Sequence, residues 1–433
     1  MSGTLIHGNI PANQRAAASS FSWSVSETIC CALVFATAFL NLVDLSGTGE
    51  MNAPNLQVTL KVLLGACCGL FGLYGAFHWP RIVYVLLSLP TGIFLSIGFI
   101  FLVSIPFSVD PLGTAVATVL YWCMLLFVIS AMHVLGTKRM MHVVAAGFFS
   151  FVIGSWLAVF LLPEVGIFRE VIGLDHVQMR MGGLTHPNTL AIICSFLLLM
   201  LIYFRVHERI SWRFLAVPLL LTLLTLVLTL SRTSIAAFLL TAIFVNRRVL
   251  FHRNVVIIAG VGSMLLVLVL FIWSLNQDPT MYTNDFLLKF TKSGSLEELT
   301  TATGRIEIWR FAIEQIADAP WLGKGLATSK IVMAEYSGHP HNMWLNFFYS
   351  GGVFCGLLSI VLTVYLLLRV FFKPVPAVDG LVIFIFLSGV AERVVLTPIP
   401  AGPLMLLIVA TAWTTFNRNK SERIDFPQNG RLG

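Results

Sequence analysis

Stretches of about 20 mainly apolar residues alternate with short polar connections along most of the chain, the length with which a helix crosses a ~30 Å hydrocarbon core. The pattern predicts about twelve spans, at residues 26–46, 57–78, 82–105, 112–134, 140–162, 187–205, 213–230, 232–246, 254–274, 342–372, 377–397 and 400–416. We therefore expect an all-α polytopic membrane protein in which residues 1–433 form a single transmembrane domain.

Composition supports lipid as the main solvent. Apolar residues make up 57% of the chain and charged residues only 11%, whereas a soluble globular protein carries about 25% charged residues. The seven cysteines all fall inside apolar stretches without the spacing of metal ligands, so we interpret them as core residues. These features exclude a cytosolic enzyme, a secreted disulfide scaffold and a disordered chain.

The distribution of Lys and Arg predicts the orientation. If both termini lie in the cytoplasm, every inside connection is basic, while the short outside connections 47–56, 106–111 and 398–400 carry no Lys or Arg. This is the asymmetry of the positive-inside rule. The net charge of +7 is then explained by topology, and nucleic acid is not an expected partner.

The outer side contains one unusually long connection, residues 275–341, and loops of that length usually carry function. Within it, residues 304–317 have the apolar spacing of an amphipathic helix, with Thr303 as a candidate N-cap. The span over 233–245 is short, about 20 Å at 1.5 Å per residue. The turn before it would place Arg232 below the outer membrane surface.

Four clusters of polar residues face the outer side. They are Arg180-Met-Gly-Gly-Leu-Thr-His186-Pro-Asn188, Thr229-Leu-Ser231-Arg232-Thr-Ser234, Thr303-Gly304-Arg305-Ile-Glu-Ile-Trp309 and His339-Pro-His341-Asn342. Arginine binds phosphate oxygens bidentately and stays charged at membrane depth. Histidine readily accepts a proton near neutral pH. The combination suits a lipid diphosphate, with arginines stabilising the leaving group while a histidine deprotonates an attacking hydroxyl.

Structural explanations remain open for each arginine. Pairing with Glu170 or Glu307, or simple solvation, would account for Arg180 and Arg305. Arg232 at membrane depth needs compensation, because an uncompensated arginine costs about 2.5–3.5 kcal/mol on insertion scales. Pairing with Glu392 would supply it for Arg232, and internal pairing would explain Arg393.

The histidines also have simpler explanations. His186 precedes a proline at a helix start, which by itself explains the motif. His339 and His341 could be solvated outer-face side chains. The outer loops contain no carboxylate cluster, so we predict no divalent metal site.

Taken together, the clusters resemble the O-antigen ligase and polymerase superfamily of bacterial envelope enzymes. The resemblance runs from about Arg180 to Gly356. It rests on Arg180 to His186-Pro-Asn188, Ser231-Arg232, Gly304-Arg305 with Trp309 and Gly323-Lys-Gly325, and His341-Asn342 with Gly351-Gly352. One departure is Cys355, which stands where a glycine or another small residue is expected.

The resemblance implies a C-type membrane glycosyltransferase acting on the periplasmic side of the bacterial inner membrane. Its donor would be undecaprenyl-diphosphate-linked O-antigen and its acceptor a sugar hydroxyl of lipid A-core. Transfer would invert the anomeric centre without a metal or other cofactor. His341 would be the general base and Arg180, Arg232 and Arg305 the diphosphate ligands. Further substrate-binding candidates are Asn342, His339, His186 and Arg393. His339 duplicates the imidazole and is the alternative base.

Two other functions fit part of the pattern. An O-antigen polymerase would use the same donor with a growing glycan as acceptor, whereas a protein O-oligosaccharyltransferase is expected to be longer. A transporter or lipid flippase suits twelve spans, and its arginines could bind an anionic substrate. The clustering of basic residues at the outer face and the lack of an internal repeat favour the enzyme.

Overall fold

The computed structural model describes residues 24–44, 56–172, 176–245, 305–336 and 338–421. The predicted span 254–274, the candidate cap Thr303 and the start of the long connection, residues 275–304, lie outside this part of the chain.

The described residues are mostly helical. The helices are α1 (Val25–Leu40), α2 (Leu56–His78), α3 (Pro80–Leu87), α4 (Thr91–Ser104), α5 (Pro111–Leu161), α6 (Pro163–Gly166), α7 (Pro187–Val206), α8 (Trp212–Leu228), α9 (Arg232–Val245), α10 (Arg305–Asp318), α11 (Ser329–Val332), α12 (Met343–Phe372), α13 (Pro376–Gly389) and α14 (Gly402–Ser421). Proline opens several of them, and it suits a first turn because the N–H that it lacks would have no helical partner there.

Helix length and hydropathy support an all-α membrane protein. Among the described residues, the four helices α2, α5, α7 and α12 are long and apolar enough to cross a membrane. The pair α3 and α4, bent by 81° at its break, could form a fifth span. Further apolar helices, such as α8 and α9, are shorter. The figure of about twelve spans therefore stays a prediction.

Helix α5 reverses direction at Gly136, whose φ of 72° and ψ of 159° are not helical. Its first leg runs parallel to α2: a Cβ on Gly65 would contact Leu120, and one on Gly75 would contact Ser130. The close and parallel approach of the two backbones establishes the direction of the first leg of α5 relative to α2.

The second leg of α5 runs parallel to α1, since Arg139 pairs with Glu27 at 3.0 Å and a Cβ on Gly147 would meet Ala38. Helices α1 and α2 are antiparallel, because Thr37 contacts Cys68 and Gln57 bonds to Val43. The two legs of α5 are therefore antiparallel and correspond to the predicted spans 112–134 and 140–162.

A break in α12 follows from two adjacent glycines. Gly351 and Gly352 have non-helical backbone angles, and Gly352 has a φ of 67°. The N–H of Val353 donates to the carbonyl of Pro320 at 2.7 Å. A Cβ on Gly352 would collide with the carbonyl of Trp321, so only glycine permits this approach.

The Gly323-Lys-Gly325 motif lies against the break at Gly351 and Gly352. We call the contact between these two glycine motifs the glycine seam. Gly323 and Gly325 have φ values of 68° and 104°, and the N–H of Lys324 donates to the carbonyl of Tyr349 at 2.8 Å. A Cβ on Gly323 would lie 2.5 Å from that carbonyl oxygen. The two glycine motifs thus interlock, and the loop between α10 and α11 is fixed on α12.

Three details of the predicted architecture are corrected. The helix in the span predicted over 26–46 ends at Leu40. The helix in the span predicted over 377–397 ends at Gly389, and residues 390–401 are not helical. The connection before α7 contains an antiparallel hairpin of β1 (Ile167–Ile172) and β2 (His176–Met181).

Candidate functional site

Polar residues from six separate segments meet at one end of the bundle. They come from β2, the starts of α7, α9 and α10, the loop before α12 and the segment after α13. We call this end the site end. The opposite end carries the Arg139–Glu27 pair and the Arg369–Asp379 pair, the latter at 2.9 Å in the last turn of α12.

Glu392 is the centre of the site and is only 6% exposed. Its Oε2 lies 3.2 Å from Nδ1 of His341. Its Oε1 lies 3.3 Å from Nη2 of Arg305 and accepts a hydrogen bond from Nδ2 of Asn188 at 3.0 Å. A buried carboxylate requires such partners, and here they come from three different elements.

Arg180 holds the residues around Glu392 in place. It is 4% exposed and donates from Nε to the carbonyl of Thr229 at 2.8 Å and from Nη2 to Oδ1 of Asn188 at 2.7 Å. Its Nη1 pairs with Glu170 at 2.7 Å. The pairing that the sequence left open is therefore present, and Arg180 fixes both the turn before α9 and the amide that reaches Glu392.

The loop before α12 fixes His341 through its neighbour. Asn342 caps α12 by accepting from the N–H of Leu345 at 3.0 Å, and its Nδ2 donates to the carbonyl of Val390 at 3.0 Å. This ties the loop to the segment that carries Glu392. His341 itself has a φ of 48°, an unusual angle for a residue other than glycine that often accompanies a functional position.

The contact with Glu392 bears on the tautomer of His341. A carboxylate ion only accepts hydrogen bonds, so opposite such an ion it is Nδ1 that carries the proton and Nε2 that keeps the lone pair. A carboxylate at this distance can also stabilise an imidazolium ion. This is the arrangement of an oriented general base.

Arg305 is the first residue of α10, the helix predicted over 304–317. Ala312 on this helix packs with Met333 and Tyr349, and Ile316 lies against the same cluster. Ile313 on the same helix is exposed. Because α10 rests on the glycine seam through these contacts, Arg305 is held beside Glu392, and Glu307 is not its partner here.

The remaining predicted site residues lie around this centre. His186 is exposed, and its Nδ1 accepts from the N–H of Asn188 at 3.3 Å, so it is the N-cap of α7, with the proline after it as the first helical residue. Arg232 is exposed at the first residue of α9. Nη1 of Arg393 lies 3.4 Å from Oγ of Ser329. Burial lowers the pKa of Arg393 to about 10, opposed by the charge of Glu392, so it remains cationic at neutral pH.

The family model described as O-antigen ligase matches residues 217–361. The predicted family is confirmed. The match supports a member of the O-antigen ligase and polymerase family, whose proteins are membrane glycosyltransferase-like enzymes. No curated protein matches the chain.

The segment that matches the family model contains some of the site and omits the rest. Arg232, Arg305 and His341 lie inside residues 217–361. Arg180 precedes this range and Glu392 follows it. The fold therefore completes the site with residues from outside the family segment.

Sequence reasoning missed three functional candidates. Glu392 was considered only as a structural partner, Glu170 only as a partner of Arg180, and Asn188 only as part of a helix start. One available signal was the scarcity of acidic residues next to apolar spans, since a carboxylate there needs a partner or a function. Their convergence could not be anticipated, because Asn188 and Glu392 are 204 positions apart.

The distribution of potential metal ligands along the sequence predicts no metal site. In the described residues, however, His339, His341 and Glu392 offer ligand atoms that all lie within 4.8 Å of one another. The rings of the two histidines are 4.0 Å apart between centroids. This group combines nitrogen and oxygen ligands and is of the type that binds transition metals.

Proposed function

We propose that this protein is an O-antigen ligase. It transfers O-antigen polysaccharide from undecaprenyl diphosphate to a sugar hydroxyl of lipid A-core in lipopolysaccharide biosynthesis. The observation that carries the proposal is the contact of one buried carboxylate with both His341 and Arg305. It brings a candidate base and a candidate diphosphate ligand together in a chain with an O-antigen ligase segment.

In the proposed reaction, Nε2 of His341 accepts the proton of the acceptor hydroxyl. The oxygen of that hydroxyl forms a bond to the anomeric carbon of the donor while the bond from this carbon to the diphosphate oxygen breaks. Undecaprenyl diphosphate leaves with the bonding electron pair. A single displacement of this kind inverts the anomeric centre, and the positive charge on His341 is balanced by Glu392.

Arginines stabilise the negative charge that develops on the leaving group, so the scheme requires no metal ion. Arg305, Arg232 and Arg393 are the proposed direct ligands, because Arg232 is exposed and Arg305 and Arg393 are only half-buried. Arg180 is buried and hydrogen-bonded. We therefore assign it a positioning role, in which it holds Asn188 and the turn before Arg232.

The other predicted residues complete the scheme. Asn342 orients the His341 loop through its bond to the carbonyl of Val390, and His339 and His186 line the approach for substrate sugars. We place this site on the periplasmic side of the bacterial inner membrane, with both termini in the cytoplasm. The basic connections at the opposite end of the bundle, such as the one with Arg139, support that orientation.

Purified full-length protein with defined lipid-linked O-antigen and lipid A-core tests the proposal. Product should form in detergent and persist with a chelator, and His341→Ala should abolish it while the protein still inserts and purifies normally. His78→Ala, an exposed histidine at the opposite end, is the matched control. Normal activity in His341→Ala with loss in His339→Ala would transfer the role of base to His339.

The main alternative is an O-antigen polymerase, which the family match supports equally. The same assay separates them by acceptor: a polymerase would extend a lipid-linked repeat and leave lipid A-core unmodified. A transporter would form no covalent product in detergent, where no second compartment exists.

A further inference from the structure

Three metal-ligating side chains lie together beside the proposed base. His339 and His341 flank Pro340, whose fixed φ limits the movement of the loop. Glu392 reaches them from the segment after α13, and one ligand atom from each side chain lies within 4.8 Å of the others. Two imidazole nitrogens and one carboxylate oxygen form a known three-ligand zinc set, in which water or substrate takes the fourth position.

We propose that His339, His341 and Glu392 form a binding site for a divalent transition-metal cation such as Zn²⁺, and that the bound cation inhibits glycosyl transfer. The binding part is independent of the reaction. The inhibitory part rests on the proposed function.

The contacts of Glu392 leave one oxygen suited to a cation. Arg305 and Asn188 both contact Oε1, whereas Oε2 faces His341. A cation between Oε2 and the two imidazoles therefore avoids Arg305 and Asn188, and it takes the place of the hydrogen bond between Nδ1 of His341 and Oε2. The guanidinium of Arg305 still repels it, so we expect a reversible site that is weaker than a closed structural zinc site.

Inhibition follows from the chemistry of imidazole. A neutral imidazole has one nitrogen with a lone pair, and the other nitrogen carries the proton. Whichever nitrogen of His341 binds the cation, the remaining nitrogen is protonated. A metal-bound His341 consequently has no lone pair with which to accept the proton of the acceptor hydroxyl.

Titration of the purified full-length protein with Co²⁺ tests the binding part. We expect visible d–d absorption from a nitrogen and oxygen site, without the sulfur-to-cobalt charge-transfer band that a cysteine ligand would add. His339→Ala should weaken binding about tenfold or more, and His339→Gln should do the same if the alanine variant folds poorly. His78→Ala is the control and should bind as the wild type does. Equal Co²⁺ binding in the wild type and both His339 variants, or a sulfur band, would overturn the site.

Transfer assays with added Zn²⁺ test the inhibitory part. Wild-type activity should fall as Zn²⁺ is added and return with a chelator, while His339→Ala should keep a larger fraction of its own metal-free activity. Co²⁺ binding with no effect of Zn²⁺ on transfer, or stimulation by Zn²⁺, would overturn inhibition. Intact Co²⁺ binding in a wild-type protein that shows no transfer without metal would instead contradict the proposed function and leave the site standing.

Discussion

Glu392 places one carboxylate oxygen 3.2 Å from Nδ1 of His341, although the two residues are 51 positions apart. The same carboxylate reaches Arg305 with its other oxygen at 3.3 Å. A single buried acid thus fixes the tautomer of the proposed base and the position of a proposed diphosphate ligand. Its replacement should affect chemistry more strongly than substrate binding.

Replacement of Glu392 tests this positioning role. We expect Glu392→Gln to lower kcat by about 10²–10⁴-fold, the range for a lost acid–base contribution, with a smaller change in KM. The glutamine retains the shape and can still accept from Asn188, but it lacks the charge that stabilises the imidazolium. Glu392→Asp should recover part of kcat. Steady-state kinetics with lipid-linked donor measures both constants, and equal losses in the Gln and Asp variants would indicate a merely structural role.

Arg305 and Arg310 form a matched pair on α10, the first beside Glu392 and the second exposed on the same helix. Arg305→Ala should reduce kcat/KM by about 10²–10³-fold, comparable to removal of one donor that stabilises a developing anion. Arg310→Ala should have little effect. Similar losses in both variants would mean that α10 contributes a general positive charge and not a specific ligand.

Much of the helical fold was predictable, whereas the convergence of the site was not. Long apolar stretches are visible in the sequence itself, so hydropathy alone predicts the positions of α2, α7 and α12. The β-hairpin was missed because each strand is short. The contacts of Glu392 depend on the non-helical segment after α13, and no local pattern around Glu392 specifies which residues it meets. The individual motif residues were identifiable, but their shared carboxylate needed the tertiary structure.

Arg180 should prove important for stability as well as activity. Its pair with Glu170 is largely buried, with side-chain exposures of 3% and 27%. Removal of one partner of a buried pair costs roughly 3–5 kcal/mol because it leaves the other partner uncompensated. We therefore expect Arg180→Ala to lower the thermal midpoint markedly and Arg180→Lys to lower it less.

Arg139→Ala is the control for this effect, because the side chain of Arg139 is 48% exposed in its pair with Glu27. Exposed ion pairs contribute little, so its thermal midpoint should stay close to that of the wild type. Thermal unfolding of the purified variants, followed by intrinsic tryptophan fluorescence, makes the comparison. A similar midpoint for Arg180→Ala and Arg139→Ala would contradict the stabilising role of the Arg180–Glu170 pair.

The glycine seam offers a test that separates backbone strain from packing. Gly352 and Gly136 have φ values of 67° and 72°, with extended ψ values that are nearly exclusive to glycine, and strain of this kind costs of order 1–3 kcal/mol. A Cβ on Gly136 would meet nothing within 4 Å, whereas one on Gly352 would collide with the carbonyl of Trp321. Gly352→Ala should therefore be the more destabilised variant in thermal unfolding.

Gly352→Ala should also lose transfer activity, because α10 packs on the glycine seam and carries Arg305. Gly136→Ala should lose stability alone, and full activity in a folded Gly352→Ala protein would show that the seam does not position Arg305.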